Sequence, residues 1–233
     1  MLDEALFQAL AEVYDPELRK PITELGMVES AQVQGSLAQV SILLTIEGCP
    51  LRSTIETEVR QAALGLDGIE QVEVSVGFMS PEQRSALRSS LGHTKTNPFA
   101  VKESLTRVFA VVSGKGGVGK SSMTANLAAA FAAQGLSVGI VDADVHGFSI
   151  PGLMGITQPP TRMDDMILPP VVEVPSSASP VSDGTAETHG FVKVISIGMF
   201  IEGNQPVAWR GPMLHRALEQ FLTDVHFGDL DVL

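Results

Sequence analysis

Cysteine is almost missing: Cys49 is the single one in 233 residues. An internal disulfide is therefore excluded, and the chain suits a reducing cytoplasm. No apolar run approaches the roughly 18 residues that a membrane span requires, so no membrane partner is expected. Positive charge is scarce as well. Lys+Arg number 15 against 27 Asp+Glu, a formal net charge of -12. Nucleic-acid binding across the surface needs clustered Lys and Arg, so no nucleic-acid partner is expected either. The opening stretch MLDEALFQALAEVYDPEL is acidic and lacks the basic n-region and cleavage site of a secretory signal. His93, His146, His189, His215 and His226 fall into no metal-ligand spacing. No repeats are evident. What is present is a 44% hydrophobic share, enough for ordinary cores in one or two domains.

The first ninety residues read as a small α+β unit. Leu2, Leu6, Leu10 and Val13 recur at helical spacing. VQGSLAQVSILLTI then alternates, with Val40, Ile42, Leu44 and Ile46 on one face and a hairpin turn at Gly35 and Ser36. Ile55, Val59, Ala62 and Ala63 predict a second helix, and QVEVSV (Gln71 to Val76) a further strand. Residues 91–106 are polar at first, contain Pro98 and read as a linker.

From Arg107 the pattern changes. RVFAVVS is a continuous apolar run, as in a buried parallel strand. A glycine loop and a helix ending near Gly135 follow. SVGIVDAD and FVKVISIG predict two more strands, MLHRALEQFLTDV a helix, and DLDVL the first half of another strand. Alternating strand and helix implies a doubly wound parallel sheet. Residues 175–188, rich in Pro, Ser and Thr, read as a disordered insertion. The fold expected is α/β, a small α+β unit over 1–90 followed by an incomplete doubly wound sheet over 107–233.

Gly114 to Ser121 fits G-x-x-x-x-G-K-[ST]. Gly114, Gly116, Gly117 and Gly119 allow the tight bend that aims backbone N–H groups, with those of Lys115, Val118, Ser121 and Ser122, at phosphate oxygens. Lys120 is placed for the β and γ phosphates of ATP, and the Ser121 hydroxyl for Mg²⁺. The loop follows an apolar strand pattern and opens a helix, the context that such a motif requires. Asp142 and Asp144 end the next strand, where open α/β sheets bind ligands. One carboxylate is suited to a Mg²⁺-bound water and the other to orienting an attacking water.

The extra lysine, Lys115, makes GKGGVGKS resemble the deviant Walker A motif of the MinD/ParA/nitrogenase-iron-protein class. That resemblance implies that Lys115 reaches across a homodimer to the partner's nucleotide, where a cation supplied in trans stabilises charge on the transferring phosphoryl group. It also assigns Asp144 to the water and Asp142 to the metal shell. VDADVHGFSIPGLMG, VKVISIGMF and WRGPMLHRALEQFLTDVHFGDLDVL resemble the Mrp/ApbC iron–sulfur cluster carrier ATPases. YDPELRKPITELGMV with LLTIEGCPLRSTIETEV resembles the iron–sulfur assembly domain that precedes the ATPase in many of them. The resemblance implies a cytoplasmic, homodimeric ATPase that passes clusters from an assembly scaffold to apo iron–sulfur proteins. Phe148 stands where that family usually has proline. The family continues past DLDVL to an acidic Mg²⁺-supporting segment and a C-x-x-C pair for a bridging [4Fe–4S] cluster, so a fragment of a longer protein is expected, binding ATP with little turnover.

Cys49 in GCPLRS precedes Pro50, a common first-turn residue. A helix N-terminus and Arg52 nearby would lower its pKa. Two roles stand open from the residues, a transient iron–sulfur ligand and a small buried hydrophobe; the family resemblance favours the first. A cubane cluster takes four ligands, and two copies of this chain offer two thiols. The competing function is a positioning or partition ATPase of the MinD/ParA type, and a third is an ATP-binding fragment without turnover.

Overall fold

The computed structural model describes residues 3–47, 49, 51–92, 96–144, 147–175, 190–200 and 211–233. The expected insertion, apart from Pro175, lies outside the described residues, as do Pro50, His93, His146, His189, Trp209 and Arg210. The chain forms two compact units, Met1–His93 and Thr94–Leu233.

In the first unit α1 (Glu4–Leu10) starts where the Asp3 carboxylate accepts the Leu6 N–H at 3.1 Å, satisfying one of the helix's orphan donors. β1 (Val28–Gln34) and β2 (Leu37–Leu44) form the antiparallel hairpin expected about Gly35. α2 (Arg52–Leu64) then crosses over and returns the chain as β3 (Gln71–Phe78), parallel to β2. The sheet order is β1-β2-β3. Leu6, Leu10, Ile42, Leu44, Ile55 and Val59 are at most 1% exposed. Each such burial stabilises by about 1.5–3 kcal/mol before chain entropy is set against it. α3 (Pro81–Ser90) was not apparent from apolar spacing. Its start is nonetheless written in the sequence: Ser80 and Gln83 form a reciprocal capping box, with Pro81 in the first turn.

The second unit holds α4 (Lys120–Ala132), β4 (Ser137–Asp142), the short α5 (Ile150–Leu153), β5 (Thr161–Met163), β6 (Met166–Leu168), β7 (Val171–Val174), β8 (Gly190–Ser196), a 3-10 turn (Ile197–Phe200) and α6 (Gly211–Thr223). β4 and β8 pair in parallel, and β7 adds an antiparallel edge to β8. The sheet is therefore mixed rather than wholly parallel. β5 and β6 form a separate two-stranded hairpin. Val192 and Val194 of β8 pack with Ala125, Ala128 and Ala132 of α4. Ile195, one residue on, belongs to a second cluster with Phe221 of α6, Val225 and Phe227. Successive residues of a strand point to opposite faces, so an apolar run covered on both sides is the expected signature of β8.

Two strand expectations are corrected: DLDVL forms no strand element and contributes only isolated bridges at Val232. RVFAVVS does not form a buried strand. Only Arg107 bridges, in parallel, to Val232, which also bridges to Val138 of β4. The Arg107 N–H donates to the Asp231 carbonyl at 2.9 Å and the Phe109 N–H to that of Leu233 at 2.8 Å. Beyond that point the backbone is irregular, and Val108, Phe109 and Val112 are 57%, 58% and 85% exposed. Apolar pattern alone does not make a buried strand; it needs a paired neighbour along its length and packing on its faces.

Candidate functional site

The glycine loop leads directly into α4. Gly119, with φ 88°, is the N-cap residue, and Gly117 has φ 76°. Both conformations are left-handed and disfavour any side chain. A Cβ added at Gly114, Gly116, Gly117 or Gly119 would meet nothing within 4 Å. No neighbouring group in the fold crowds these positions. The space beside the loop backbone lets a ligand come close to it, as a phosphate cradle requires. Inside the loop the Ser113 hydroxyl donates to the Lys115 carbonyl at 2.8 Å and accepts the Lys115 N–H at 3.2 Å. Lys115, Val118 and Ser122 are exposed, and Ser121 is half-buried at the start of α4.

The acids stand across from this loop. Lys120 Nζ donates to Asp144 Oδ2 at 2.9 Å, with both side chains about one-third exposed (32% and 34%). Asp144 Oδ1 accepts the Gly147 N–H at 2.9 Å. Asp142, only 6% exposed, accepts the Asp144 N–H on Oδ1 at 3.1 Å and the Ser196 hydroxyl on Oδ2 at 3.0 Å. Burial pushes the Asp142 carboxyl above the usual range. The two hydrogen bonds and Lys120 pull it down, and the Asp144 charge adds to the rise. Lys120, Ser121, Asp142 and Asp144 all line one cavity of about 890 Å³, whose remaining walls are largely apolar and include Phe109, Phe131 and Ile140.

The structure thus brings Lys120, Ser121, Asp142 and Asp144 together, 24 residues apart in the case of the ion pair. Ser196 was missed by sequence reasoning. It faces Asp142 in the parallel register of β4 and β8, a relation that no local spacing reveals.

Cys49 belongs to the first unit and is half-buried. Its expected acidification is corrected. α2 begins at Arg52, so the thiol lies three residues before the helix rather than directly before its first turn. Burial pushes its pKa up; the backbone amides of Leu51 and Arg52 oppose this, while the Glu17 and Asp15 charges add to the rise. The charged partners come from more than thirty residues upstream, and both carboxylates are 6% exposed. Among the described residues no group of three or more His, Cys, Asp and Glu could hold a metal ion. Nor is any described helix long and apolar enough to cross a membrane.

Residues 104–233 match the family model described as "ParA: NUBPL iron-transfer P-loop NTPase". The chain belongs to this family. A ParA-type P-loop NTPase domain therefore occupies the second unit, and residues 3–76 match the model of an iron–sulfur cluster assembly protein. Among curated relatives, the "Iron-sulfur cluster carrier protein" of Mycobacterium tuberculosis (strain ATCC 25618 / H37Rv) is 54% identical over 237 residues, covering 100% of this chain and 58% of the relative. Its counterpart in Mycobacterium leprae (strain TN) is 53% identical over 236 residues, covering 100% of this chain and 57% of the relative. That of Deinococcus radiodurans is 39% identical over 233 residues, covering 100% and 58%. This ParA-type chain thus spans somewhat over half the length of the curated relatives it matches.

Proposed function

We propose that this chain is the assembly-domain and nucleotide-binding portion of an ATP-dependent iron–sulfur cluster carrier that works as a homodimer in the cytoplasm. The observation that carries this reading is the pairing of Lys120 with Asp144 beside an unobstructed glycine loop. A partly exposed lysine beside an uncrowded glycine loop at a helix N-terminus suits a polyanion. The names of the relatives support the cargo, an iron–sulfur cluster.

In this reading the amides from Gly114 to Ser122 bind the phosphates of ATP. Lys120 leaves Asp144 and binds the β and γ phosphoryl oxygens. The Ser121 hydroxyl and the Asp142 carboxylate would hold Mg²⁺, which supplies charge neutralisation when bound. Asp144, once released from Lys120, orients the attacking water and accepts its hydrogen bond. Lys115 of a second copy adds positive charge at the transferring phosphoryl group, so turnover depends on dimer closure. The cluster is cargo, passed from an assembly scaffold to apo iron–sulfur proteins. Cys49 serves as a transient ligand in that passage. One thiol per chain falls short of the four ligands of a cubane, so stable holding needs groups besides those described.

The test is ADP binding, followed by calorimetric titration of the chain. The unaltered chain is expected to bind, and Lys120→Ala to weaken binding at least about 30-fold, as loss of a charge-assisted contact of roughly 2 kcal/mol or more implies. Unchanged affinity in Lys120→Ala would remove the phosphate assignment.

A further inference from the structure

Ser196 is fully buried, at 0% exposure, and stands at the end of β8 beside the acids. A hydroxyl has a single hydrogen. That hydrogen goes to Asp142 Oδ2, while the oxygen accepts the Gly198 N–H at 3.3 Å. Since Asp142 Oδ1 holds the Asp144 N–H, each carboxylate oxygen has its own donor and the group cannot rotate freely.

Gly198 in turn is pressed against the Phe148 ring so closely that any Cβ there would overlap ring atoms. Phe148 follows Gly147, whose N–H holds Asp144. The contacts close a circuit. They run from Asp142 through Ser196, Gly198, Phe148 and Gly147 to Asp144, whose own N–H returns to Asp142.

We propose that Ser196 is a positioning residue that sets the Asp142 carboxylate for a magnesium-bound nucleotide, and that the Phe148–Gly198 contact ties this hold to the loop carrying Asp144. The inference rests on the nucleotide reading above. A hydroxyl that merely satisfies a buried acid would affect stability alone. A positioning hydroxyl changes how strongly Mg²⁺ tightens nucleotide binding, because partners behind a metal ligand fix its orientation.

ADP affinity, measured in EDTA and again in Mg²⁺, separates the two. Ser196→Thr and Ser196→Val have nearly the same shape, and only the first keeps the hydroxyl. Affinity in EDTA is expected to be alike in both and in the unaltered chain. The Mg²⁺-dependent gain is expected to persist in Ser196→Thr and to fall about tenfold in Ser196→Val and Ser196→Ala. Ser196→Ala only removes an atom, so it carries the test by itself should the larger pair unfold. In an Asp142→Asn background, Ser196→Ala is expected to change the gain no further, the mark of two residues acting as one. Equal Mg²⁺ gains in Ser196→Val and Ser196→Thr, in Ser196→Ala and the unaltered chain, or a Ser196→Ala loss undiminished in the Asp142→Asn background, would overturn the inference. ADP binding by the unaltered chain without any Mg²⁺ gain would overturn it while leaving the phosphate loop standing. No ADP binding in either condition would overturn the nucleotide reading and this inference with it.

Discussion

Two apolar runs of the second unit, RVFAVVS and FVKVIS, look alike on paper and end differently. In β8, Val192, Val194 and Ile195 are each 0% exposed, with α4 on one face and the α6 cluster on the other. Along residues 107–113 the apolar side chains lie largely open. Each run delivers the chain to one half of the site. β8 ends at Ser196, which secures an acid; the other run ends at the glycine loop, where a Cβ at Gly114, Gly116, Gly117 or Gly119 would meet nothing within 4 Å. The acid half is built by packing, whereas the glycine-loop half is shaped by backbone torsion. Burial on two faces supplies the free energy that holds a carboxylate in place, while glycine supplies a conformation with no packing at all.

Substitution should expose that contrast most strongly in stability. Ile195→Ala is expected to lower the unfolding free energy of the second unit by about 3 kcal/mol, and Val112→Ala to change it by less than about 0.5 kcal/mol, in urea titrations followed by circular dichroism. Equal losses would mean that the two runs are packed alike. The acid half also carries a charge penalty. Burial raises the folded-state pKa of Asp142 above its unfolded value. The folded state then binds more protons, so stability falls as pH rises from about 4 through the raised folded value. The stability of Asp142→Asn relative to the unaltered chain is accordingly expected to rise as pH climbs from about 4 through the raised folded value and to level off beyond it. A difference that is constant with pH would point to a cause other than charge. The smallest effect expected is on the link between the halves. The Lys120–Asp144 pair is partly exposed, worth about 1 kcal/mol. Asp144→Asn frees the lysine for phosphate, and ADP binding in EDTA is expected to tighten about fivefold. Weaker binding would show that Asp144 helps to form the cradle rather than competing with the ligand.

Much of this was legible beforehand, where a local signal coincides with the final environment. The hairpin about Gly35 and the helix after Lys120 follow from alternation and from the glycine-lysine pattern. β5 to β7 were hidden because strands of three or four residues are shorter than any periodic pattern and are flanked by prolines. α3 carried a capping signal, Ser80-Pro81-Glu82-Gln83, but only one buried apolar residue, Leu87. Among site residues, Lys120, Asp142 and Asp144 announce themselves through motif and strand end. Ser196 and the Asp15 and Glu17 neighbours of Cys49 arise from register and folding-back, which no short window contains.

Val232 has a consequence of its own. One residue, linked on one edge to Arg107 and on the other to Val138, acts as a spacer of two sheet intervals, so the backbones to either side stand roughly 10 Å apart. That width separates the start of the run leading to the glycine loop from β4, the strand that ends at Asp142. Replacing Val232 with proline would remove the N–H that donates to the Ser137 carbonyl, and the shim would come loose from β4 while its other seam, to Arg107, kept its bonds.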